Sequence, residues 1–82
     1  METSESRPEI GDAIGGPWQE VVGACEQALA ARPDLVPLWV GLSLAAARAG
    51  DLELAEGAYD VARVLSADEA DAWRDAFERA FP

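Results

Sequence analysis

Eighty-two residues make one domain at most, and a chain of this size buries only about 60% of its unfolded surface, so its core is thin. Sixteen carboxylates against six basic residues, all of them Arg, give a net charge of -10, which disfavours nucleic acid and anionic membrane surfaces as partners. One cysteine and no histidine exclude an intrachain disulfide and the usual zinc sets, and no cofactor is implied. Half of the residues are apolar and Ala is the commonest of them, a composition that fits close-packed helices better than a sheet.

Residues 1–16 carry Ser, Glu, Pro and Gly with only Ile10 and Ile14 as sizeable apolar groups. They read as a disordered or loosely docked acidic arm, without the basic start of a signal peptide. No apolar run reaches the length of a membrane span, and the expected location is the cytoplasm.

The folded domain is expected over 17–82. Pro17 can open a first helix in which Trp18, Val21, Val22, Cys25, Ala28 and Leu29 recur at helical steps, ending near Arg32 because Pro33 follows. After a linker over 33–36, Pro37 can open a second helix with Leu38, Trp39, Leu42, Ala45, Ala46 and Ala49 as its stripe. Gly50 is placed to cap it in the left-handed region, and Asp51 to cap the next start. A third helix spans about 52–65, with Leu54 or Leu52, Ala55, Ala58, Tyr59, Ala62 and Leu65 facing inwards. Ser66 and Glu69 read as the capping box of a fourth, in which Trp73, Ala76, Phe77, Ala80 and Phe81 recur. The fold class is therefore all-α, with four short antiparallel helices joined by tight turns.

Displacing the sequence by thirty-four residues brings Ala28 onto Ala62, Trp39 onto Trp73 and Pro33 onto Ala67. Within that period Trp39, Leu42 and Ser43 precede the Gly50–Asp51 turn, and Ala55, Tyr59 and Ala62 follow it. In length and spacing the segment 37–70 resembles a tetratricopeptide repeat, flanked by half repeats over 17–33 and 71–82. Ala46 and Ala67 depart from the family pattern, which has Tyr and Pro there. The resemblance implies a helical-hairpin array, of which one whole repeat and two halves leave apolar faces for another copy or a partner protein to cover.

It also implies a peptide-binding groove on the first helix of the hairpin, which puts Val40, Leu44, Ala47 and Arg48 among the lining residues. Such a strip would suit an amphipathic helix whose carboxylate meets Arg48; the competing assignment is that helix one or the arm fills it as core. Trp73, Phe77 and Phe81 lie on one side of the last helix, where they either anchor a partner or close the small core. Asp51, Glu53, Glu56 and Asp60 form an acidic face that could meet a basic partner. Cys25 reads as a small buried hydrophobe.

No catalytic constellation is evident: Asp68 and Asp71 lack a cavity and an assisting Lys or His. The expected function is that of a non-catalytic interaction module, an adaptor, chaperone or accessory subunit, binding a protein or peptide or a second copy of itself. The competing class is an acyl or peptidyl carrier protein, similar in size, acidity and helix content. Its attachment serine would have to be Ser43, which is preceded by Leu42 rather than Asp and sits within a helix.

Overall fold

A computed structural model describes the backbone over residues 9–81 and the side chains over 17–81. Within those residues the chain is all helical: α1 spans Glu9–Ala31, α2 Val36–Arg48 and α3 Leu52–Ala80. No helix among them is long and apolar enough to cross a membrane.

The turn chemistry expected from sequence is present at both ends of α2 and at the start of α3. Pro37 lies in the first turn of α2 after the extended residue Leu35, where a missing N–H costs nothing. Gly50 adopts φ of 91°, a conformation that L side chains rarely enter. Its N–H and that of Asp51 donate to the carbonyls of Ala47 and Ala46, which closes the end of α2. Asp51 then caps α3, its side chain accepting from the Leu54 N–H at 3.1 Å.

Two expectations need correction. The chain has three helical elements rather than four separate helices. The junction expected at Ser66 is a single extended residue, with φ of -165° and ψ of 106°, inside an otherwise helical α3. Its hydroxyl accepts from the Glu69 N–H at 3.3 Å, so the serine half of the box forms, and no linker residue separates the helical parts. Secondly, α1 begins at Glu9 rather than Pro17, which lies inside it; propensity alone undervalued this stretch because of Gly11, Gly15 and Gly16. The rest of the acidic arm, and any docking of the Ile10 and Ile14 side chains, lie outside the described residues.

The helix directions alternate along the chain. α1 runs antiparallel to α2, Trp18 meeting Arg48 at one end while Leu29 shares a buried cluster with Leu42 and Ala58 at the other. Residues 52–65 also run antiparallel to α2. Residues 67–80 instead run parallel to it: Ala70 packs with Val36 and Val40, Phe77 lies beside Gly41, and Arg48 donates to the Phe81 carbonyl. Reversal at Ser66 produces this arrangement, because the part before it already opposes α2.

α2 is thus the central element. Val40, Ala46, Ala62 and Ala70 are fully excluded from solvent. Three of these four are alanines, so the helices meet through small residues that permit close approach, and little bulky apolar surface is buried.

Candidate functional site: an apolar cleft beside α2

Trp18 and Val21 of α1, Leu44 and Arg48 of α2, and Phe77 and Phe81 at the end of α3 enclose a cleft of about 270 Å3. Helical spacing explains its walls. Trp18 and Val21 are three residues apart, Leu44 and Arg48 four, and Phe77 and Phe81 four, so each helix presents one short stripe. Gly41 forms the floor: a Cβ there would sit 3.8 Å from both the Cys25 sulfur and a Phe77 ring carbon.

Aromatic contacts organise the rim. The Trp18 and Phe81 rings meet edge to face with centroids 6.3 Å apart, a favoured geometry for aromatic pairs. The Arg48 guanidinium lies over the Trp18 ring at 5.0 Å from its centroid and donates to the Phe81 carbonyl. These contacts take up only some of its five N–H donors. Among the described residues Arg32, Arg63, Arg74 and Arg79 each pair with a carboxylate, whereas Arg48 pairs with none. Among the described residues that line the cleft it is the single charged group.

The candidate residues named from sequence separate in the structure. Leu44, Arg48, Phe77 and Phe81 come together at the cleft. Val40 does not line an open groove; it is completely buried in the α2–α3 core. Ala47 borders a different depression of about 330 Å3, with Tyr59, Glu56, Asp60 and Arg74. Trp73 stacks on Phe77 with centroids 5.5 Å apart and stays 39% exposed, supporting the ring of Phe77 without lining the cleft. Trp18, Val21 and Gly41 join them, although helical periodicity places the first two in the core stripe of the first helix and gives Gly41 no role.

Other chemistry-bearing groups are occupied structurally. Ser43 is buried and its hydroxyl donates to the Ala55 carbonyl at 2.7 Å, which engages the group that a carrier's prosthetic arm would need. Cys25 is half-buried, and its burial, reinforced by nearby Glu26, pushes the thiol above its usual pKa; a raised pKa suppresses the nucleophilic thiolate. Of the acidic face, Asp51 is used as a cap, and Glu53, Glu56 and Asp60 are exposed. Among the described residues no three His, Cys, Asp or Glu side chains gather to hold a metal.

Across the bend in α3, Asp71 accepts from the Tyr59 hydroxyl and from Arg63 at 2.7 Å. The Tyr59 hydrogen bond chiefly, and that of Arg63 next, hold the Asp71 carboxyl below its ordinary pKa. A depressed folded-state pKa contributes stability above the unfolded value, near 3.9, and loses it as the pH falls through the folded one. Asp71→Asn should therefore flatten the acid limb of the stability curve below about pH 4, read by urea denaturation at several pH values; an acid limb identical to the parent's would refute the assignment.

No family model, curated protein or solved structure matches the chain.

Proposed function

We propose that the chain is a tetratricopeptide-like interaction module without catalytic activity, which holds an amphipathic helix of a partner protein in the cleft between α1, α2 and the end of α3. The observation that carries this reading is the Arg48 guanidinium at the rim of a cleft whose other described lining residues are apolar. Apolar walls offer burial to two or three side chains from one face of a helix, and Arg48 selects a carboxylate beside them. A volume of about 270 Å3 lies just under the range of roughly 300–1,000 Å3 usual for small-molecule sites, in keeping with a few inserted side chains.

Support for the repeat-like architecture comes from the α2–α3 hairpin closed by Gly50 and Asp51, and from residues 67–80 running parallel to α2 across Ala62 and Ala70. In stacked hairpins the next first helix takes that place.

The test is calorimetric titration with a panel of amphipathic helical peptides that carry Leu at helical spacing and either Glu or Gln beside it. Saturable binding with preference for Glu is expected. Leu44→Lys should weaken it by about tenfold or more, as for a central contact, and Arg48→Gln should erase the Glu preference. Binding that ignores Leu44→Lys, in a variant shown by circular dichroism to be folded, would sink the proposal.

A further inference from the structure

The bend at Ser66 carries an inference about a second copy of the chain. Helix runs without a linker up to Ser66 and on from it, and Ser66 alone departs from helical backbone angles within α3. No Gly or Pro occurs between Ala58 and Phe81. Only one residue must therefore change conformation for α3 to become straight, and Ser is an unremarkable helix former.

We propose that residues 67–81 exchange between two copies of this chain, with Ser66 as the hinge, so that each straightened α3 covers α2 of the partner subunit. A straight helix of 29 residues is about 44 Å long, against about 20 Å for α2. Once straight, residues 67–81 cannot return to their own α2. They leave Val40, Gly41 and Leu44 uncovered, a strip that Ala70 and Phe77 of the partner subunit fit with the contacts they make within one chain. Two such exchanges close a two-fold dimer and leave no strip unpaired. The cleft is rebuilt with Phe77 and Phe81 of the partner subunit, and the inference stands whether or not that cleft binds a helix.

The exchange has identifiable opponents. Ser66 caps the second part of α3 through the Glu69 N–H, and Asp71 is held by Tyr59 and Arg63 across the bend. In a straight helix, residues 59 and 71 are about 18 Å apart, so those contacts exist only in the bent form. They act as pins that favour the monomer, and they are few and exposed.

Sedimentation equilibrium on the whole chain tests this over a wide concentration range. Ser66→Ala removes the cap and favours continuous helix; because a dimer contains two junctions, its dissociation constant should fall by about thirtyfold. Asp71→Asn should act in the same direction with smaller effect, and it keeps the test valid if Ser66→Ala fails to fold. Ala67→Pro should do the opposite: Pro is accommodated at the first position after a cap but clashes within a straight helix, so this variant stays monomeric at every concentration. A monomeric Ser66→Ala and Asp71→Asn would overturn the proposal, and so would a dimer that persists undiminished in Ala67→Pro.

Discussion

Val40→Asp is expected to abolish cooperative folding at room temperature. Val40 is fully excluded from solvent and packs with Val36, Ala62 and Ala70, none of which offers a hydrogen bond to a carboxylate. The side chain must then either carry an unpaired charge or take up a proton, and each route costs several kcal/mol. A chain of 82 residues has a total stability of about 4–12 kcal/mol, so a single such penalty consumes most of it. Far-UV circular dichroism should show loss of the thermal transition; a melt within a few degrees of the parent would mean that Val40 is not in the core.

Ala62→Leu is expected to be the second most damaging change, for the opposite physical reason. Ala62 is fully buried in the same cluster, where residues 52–65 and 67–80 both approach α2. Added carbons have no void to enter, and overpacking of this kind costs about 1–3 kcal/mol. That corresponds to a fall in Tm of about 5–20 °C for a domain of this size. Val40→Ala in the same chain should restore part of the loss by returning volume to the contact, which a double-mutant cycle reads directly. Val64→Ala is the control: Val64 is 85% exposed, and its loss should stay within about 0.5 kcal/mol. Equal Tm values for Ala62→Leu and Val64→Ala would show that the helices are not in close contact.

Local features of the fold were legible in the sequence because single residues encode them. Pro33, Pro37, Gly50, Asp51 and Ser66 each restrict the backbone or cap a helix within a few positions of themselves, and each acts as its chemistry dictates. The apolar periodicity of α1 and α3 located their helices, although the glycines near Pro17 obscured where α1 begins.

What was not legible depended on which side of α2 receives which neighbour. α2 reads VPLWVGLSLAAAR and is apolar nearly all round, so hydrophobicity marks no preferred face. Val40 and Leu44 are one turn apart, yet Val40 is enclosed by α3 while Leu44 reaches the cleft. That division is set by the reversal at Ser66, which turns residues 67–80 parallel to α2. Trp18 was visible as an apolar anchor, but its role at the rim follows from the antiparallel return of α1 to Arg48. Tertiary placement, and no short-range spacing, joins these groups.

The Trp18–Phe81 ring contact also bears on the order of assembly. Both hairpin contacts of α2 join segments near in sequence, and short loops close at small entropic cost. Trp18 and Phe81 come from opposite ends of the described chain, and α2 lies between their helices as a template. Their meeting needs both hairpins in place, so among the described residues the rim under Arg48 is expected to form after both hairpins and to loosen before them. Hydrogen exchange should then place the cleft at the low-stability end of the structure, where local opening precedes global unfolding.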